Sequence, residues 1–164
     1  MAITIVEIPF HRDEQQSVSA AMRRLEARGD GEGWINFHPM LTDEERARVP
    51  ERTTLGEWFS GRGPAVAMGT WTPSAGGAKP RPAQIGLAHG TGPKALVRLD
   101  ELGVGLPSGW VKRQDHAKHG IVAELPSGED PARIVTWLIV AATVLRTVVE
   151  PGEQWAALVH EPEG

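Results

Sequence analysis

The chain has 164 residues, 40% hydrophobic and 23% charged, with a formal net charge of −4. This is the composition of a folded domain rather than a disordered or fibrous chain, and the length fits one domain, 1–164, able to bury a core without staples. Cysteine and tyrosine are both absent, which excludes disulfides, thiolate nucleophiles, cysteine-bound zinc and phenolic acid–base chemistry.

Ile3, Ile5, Val6 and Ile8 predict a first strand. A helix is expected from Asp13, with Asp13 as cap and Gln16 closing a capping box. Val18, Met22 and Leu25 form its apolar stripe, and Gly29 ends it in a left-handed conformation. Trp34, Ile35 and Phe37 predict a second strand reaching His38. Over 40–62 the pattern is mixed. Thr42 before Asp-Glu-Glu-Arg reads as a cap for a short helix, and Leu55, Trp58 and Phe59 as a further turn of helix.

Ala65–Trp71 and Ala83–His89 read as two strands joined by a mobile Pro- and Gly-rich hairpin loop. Gly92-Pro93 then opens a helix, with Pro93 in its first position and Leu96, Val97, Leu99 and Leu102 as its apolar face. The pattern recurs. Trp110–Asp115 and Ile121–Leu125 form a hairpin, Asp130-Pro131 opens a helix running to Leu145, and Trp155–Val159 form a last strand. Pro93, Leu96 and Val97 match Pro131, Ile134 and Val135 at a constant offset of 38 residues. The expectation is an α+β fold, a mainly antiparallel sheet with helices on one face. Within it, ββα-like units at about 64–103 and 109–146 read as a pseudo-duplication.

The Ile134–Leu145 stretch is apolar on nearly every side. A helix of that kind must be buried all round, so it is either central or shared with a second subunit, and a homodimer through this helix is expected. The stretch is well short of the ~20 residues of a membrane helix, and the N-terminus lacks the basic and apolar regions of a secretion signal. A soluble, cytoplasmic protein is the expectation.

Charge is uneven. Residues 77–120 carry seven lysines and arginines against three acids, a net of +4, while the remainder nets −8. The basic segment holds two candidate motifs. His89-Gly90-Thr91-Gly92-Pro93-Lys94 lies between a strand and a helix, where glycines admit a ligand close to the backbone and helix amides favour an anion. It has neither the Walker A nor the Rossmann spacing. Gln114-Asp115-His116-Ala117-Lys118-His119-Gly120 forms a polar hairpin tip. His116 and His119 on a tight turn splay apart, so no metal site or cofactor is assigned. Trp110, Lys112 and Arg113 only faintly suggest nucleic-acid binding, which overall acidity disfavours.

The stretch from Ala65 to Val144 resembles a family of small, uncharacterised actinobacterial proteins. The residues that carry the resemblance are His89-Gly90-x-Gly92-Pro93-Lys94, Gly109-Trp110, Gln114-Asp115-His116 and Gly120-Ile121-Val122. The resemblance implies no activity. Where the family has Pro-Arg-Arg, this chain has Ala117-Lys118-His119, so a basic hairpin tip is the shared feature.

The leading expectation is a non-catalytic binding or interaction module for an anionic small molecule or an acidic protein. Its expected ligand-binding residues are His89, Gly90, Gly92, Lys94, Lys112, Arg113 and Lys118. The alternatives are a hydrolase of phosphate or acyl bonds using His89, Asp115 and His116 as acid–base groups, and a structural subunit of a larger assembly. All of this assumes that the loop before Pro93 and the Trp110 hairpin tip converge.

Overall fold

The computed structural model describes residues 2–49 and 63–164. In chain order these form β1 (Ile3–His11), α1 (Gln16–Arg28), β2 (Trp34–Pro39), α2 (Asp43–Arg48), β3 (Met68–Thr72), β4 (Gln84–Ala88), α3 (Ala95–Glu101), β5 (Val111–His116), β6 (Gly120–Glu124), α4 (Pro131–Val144) and β7 (Gln154–Pro162). The strands make one seven-stranded sheet in the order β1-β7-β2-β3-β4-β6-β5, with every neighbouring pair antiparallel. This is the expected α+β class. Leu55, Trp58 and Phe59 lie outside the described residues.

Strand alternation puts one apolar row on one side of the sheet. Val159, Ile35, Trp71, Ile85 and Ala123 lie in register across β7, β2, β3, β4 and β6. All but Trp71, at 3% exposure, are at most 1% exposed. Val18, Met22 and Leu25 of α1 and Ile134, Val135, Leu138 and Ile139 of α4 join them in one core. The opposite side carries Trp34, Asn36, Thr70, Gly86, Val122, Leu158 and His160, all partly exposed.

Several local expectations are revised. α1 starts at Gln16 rather than Asp13, without a side-chain cap. The Asp13 amide instead donates to Nδ1 of His11, folding residues 11–14 into a turn. In α2 the box is complete: the Glu45 amide donates to the Thr42 hydroxyl, and the Thr42 amide to the Glu45 carboxylate. The 73–82 loop, expected to be mobile, is pinned. Ala75 bridges both Asp30 and Arg81, and Arg81 donates to the Gly31 carbonyl at 2.9 Å. α3 begins two residues beyond Pro93, because Lys94 adopts a left-handed conformation (φ 58°) and breaks the run. Val97 and Leu102, expected on its apolar face, are exposed, and only Ala95 and Leu99 are buried.

α4 is capped as expected, with the Asp130 carboxylate accepting from the Ala132 amide and Pro131 in the first turn. Its apolar circumference is covered within one chain. The sheet and α1 lie on one side, and the Trp137 indole donates to the carbonyls of Val104 and Gly105 on another. That coverage removes the reason for expecting a dimer through Ile134–Leu145.

Gly120 opens β6 with φ 78°, and a Cβ there would lie 2.2 Å from the Leu87 carbonyl oxygen of the neighbouring strand. Gly120→Ala is expected to lower the unfolding free energy by at least ~2 kcal/mol in urea titration. Gly128→Ala has a similar φ of 73° but open space around it. It should cost only the backbone strain, about 1 kcal/mol.

Candidate functional site

The loop before α3 and the β5–β6 hairpin do converge, and Asp115 is the joint. Its register opposite Ile121 turns the carboxylate to the helical side of the sheet. There Oδ1 accepts from the Ala95 amide at 3.2 Å and Oδ2 from the Leu96 amide at 2.9 Å. The first turn of α3 is thus capped from another element rather than by its own preceding residue. The amides expected to hold an external anion already hold this carboxylate.

His89 sits beneath that joint, fully buried. Arg98 donates to the Thr91 hydroxyl at 2.6 Å, and the Thr91 amide and hydroxyl both face Nδ1 of His89. Nδ1 is therefore the acceptor and the ring proton lies on Nε2. That N–H is buried and has no hydrogen-bond partner among the described residues. Burial is the main force holding the His89 pKa below its ordinary value near 6.5. Asp115 opposes the shift and Arg98 adds to it.

The remaining expected residues do not form one electropositive spot. Arg113 sits at a β-bulge and is paired with Glu124 at 2.7 Å. Lys94 and Lys112 are exposed, while Lys118 is partly buried in the hairpin turn. Gly90 packs against the Pro64 carbonyl, and Gly92 supplies a φ of 90°. His116 neighbours Asp115 on β5 and so points to the opposite side of the sheet. Its Nδ1 accepts from the amides of Lys118 and His119, and its ring stacks on His119 at 4.7 Å. His89, Asp115 and His116 therefore do not face one pocket. Among the described residues, no group of three His, Asp or Glu side chains is placed to hold a metal.

The large concavity lies elsewhere. A cleft of about 910 Å³ opens between α1, the pinned 73–83 segment and the 125–131 loop. Met22, Trp71, Leu125 and Ile134 give it apolar walls, with Pro80, Pro82 and Pro126 on the loops. Its acids are already engaged. Glu26 accepts from the amide and hydroxyl of Ser74, and Glu129 from the Trp110 indole at 2.7 Å and from Arg133. Asp130 caps α4. Two donors differ. The Trp71 indole N–H is buried with no acceptor among the described residues, though Trp71 itself is a wall of the cleft. Arg23, on the exposed side of α1, pairs with no acid among the described residues. It also borders a second hollow of about 520 Å³ lined by Arg12, Gln16, Ser19 and Thr136.

The sequence reading misses this cleft, because it gives Trp71 only as the end of a strand and 73–82 as a mobile loop. The available signal was the pair of proline-bearing segments, 80–82 and 126–131, each next to a strand end. Compared with protein-family models, curated proteins and solved structures, the chain matches none.

Two outcomes are expected. Asp115→Ala should lose ~1–2 kcal/mol of stability in urea, since one change strands two amides. The second concerns pH. His89 has a depressed folded-state pKa, so the unfolded chain takes up this proton first on acidification. Its contribution to stability is complete above about pH 6.5 and is lost as pH falls toward the native value. The wild-type urea midpoint should fall with acidification below that pH. His89→Asn, which keeps an acceptor for Thr91, should flatten that slope.

Proposed function

We propose that the protein is a non-catalytic binding module for a small amphipathic anion, an apolar body carrying a carboxylate-sized head, held in the cleft beside α1. The observation that carries this reading is the Trp71 indole N–H, a buried donor without an acceptor among the described residues, in the wall of a mostly apolar cleft. Buried donors are nearly always satisfied, and an unpaired one costs about 1–3 kcal/mol. A ligand acceptor would remove that cost.

The volume and lining support the same reading. About 910 Å³ is at the upper end of the range of small-molecule sites, which are mostly apolar with a few placed polar groups. Glu26, Glu129 and Asp130 each accept from the protein's own donors. Two arginines, Arg23 and Arg81, line this cleft together with the Trp71 donor. Their sign favours an anionic or acceptor-bearing head. The expected ligand class is kept, but its place moves from the α3 loop to the α1 cleft.

The test is titration with decanoate and 1-naphthoate against decanol, read by thermal shift and tryptophan emission. The carboxylates should raise the melting temperature and perturb emission, with decanol weaker. Arg23→Ala should weaken carboxylate binding about tenfold, in line with ~1.5 kcal/mol for a charged hydrogen bond. Trp71→Phe, which keeps the apolar wall and removes the donor, should weaken it several-fold. If no probe shifts either signal, or both variants bind like wild type, the reading fails.

A further inference from the structure

The two edges of the sheet are built differently. β5 is interrupted by a bulge between Lys112 and Gln114 and shows Lys112 and Arg113 to solvent. Bulges and charges of this kind keep an edge from pairing with another strand. β1 is nine residues long, has no bulge in its register and, among the described residues, pairs only with β7. It carries no lysine or arginine, and it exposes Ile3 (43%), Ile5 (59%) and Val6 (48%).

The hydrogen bonds at its ends show which backbone groups are free. The Arg12 amide donates to the Glu153 carbonyl at 2.8 Å, and the Glu163 amide to the Ala2 carbonyl at 3.0 Å. Both positions are even. In an antiparallel ladder, alternate residues bond the neighbour, so even residues of β1 face β7. Ile3, Ile5, Glu7 and Pro9 direct their backbone groups outward. Pro9, with no N–H to give, falls where none is needed by β7.

We propose that this edge pairs antiparallel with β1 of a second copy of the chain, across a two-fold axis at Ile5. In this register Ile5 meets Ile5 of the second copy, and Ile3 meets its Glu7. Ile3, Ile5 and Glu7 are all bonded, and Pro9 and His11 lie beyond the paired stretch. A register centred on Glu7 would oppose two carboxylates, which is unfavourable. One centred on Val6 would bring Pro9 opposite Ile3 and lose its bond. The Ile5 register also extends a row on the side of the sheet away from α1 and α4. Ile5 is in register with His160 and His160 with Trp34, whose rings stack at 4.4 Å. Pairing at Ile5 joins the rows of both copies into one strip.

The chain has no cysteine of its own, so an introduced one reports the contact directly. Directly opposed residues in a bonded pair have Cα atoms ~5.5 Å apart, within disulfide range. Under mild oxidation the full-length Ile5→Cys chain should become a covalent dimer, while Val111→Cys on the other edge stays monomeric. In sedimentation velocity from micromolar to submillimolar concentration, the otherwise unmodified chain should shift from monomer to dimer. Ile5→Arg and Glu7→Pro, both checked for folding by circular dichroism, should stay monomeric. A chain monomeric throughout, dimers that survive both variants, or equal cross-linking at positions 5 and 111 would overturn the proposal.

Discussion

The sheet depends on the placement of β7 between β1 and β2. Each of those strands finds an antiparallel partner in it, β1 over the whole span from Ile3 to His11 and β2 from Trp34 to Pro39. The inward side chains of β7, Trp155, Ala157 and Val159, are buried. Across them Phe10 and Phe37 meet edge to face at 6.5 Å. This contact unites segments far apart in sequence. Loop-closure entropy must be overcome before it stabilises anything, so a topology of this kind folds slowly compared with one built from neighbouring hairpins.

Elements were legible in the sequence where one local rule decided them. The alternation from Ile3, the α1 stripe of Val18, Met22 and Leu25, the Thr42 box and the Asp130-Pro131 start all depend on residues within a turn or two of one another. Strand order was not legible, because nothing near Trp155 records that its neighbours will be Phe10 and Pro39. The start of α3 was misplaced for the same reason. Pro93 looks like a first helical residue, but the cap comes from Asp115, 22 residues on, and Lys94 between Pro93 and the helix is left-handed.

The candidate site shows the same division. His89, Asp115 and the glycines around them stood out in the sequence because they are polar or conformationally special residues in an apolar pattern. In the fold they hold a loop and a hairpin together. The cleft beside α1 is built from residues with no signal of their own, such as Met22, Leu125 and Ile134. Trp71 becomes informative only once burial and hydrogen bonding are both known, since an indole in a core is unremarkable until its N–H lacks an acceptor.

A cap supplied from a distant strand also sets how the molecule can loosen. With the first amides of α3 tied to β5, the helix cannot fray from that end unless the hairpin shifts with it. His89, fully buried, lies close to Asp115 and Arg98 at this junction. Amide exchange of Ala95 and Leu96 therefore belongs to the same cooperative opening as the β5–β6 ladder, and the region behaves as one unit of local unfolding rather than as a loop beside a hairpin.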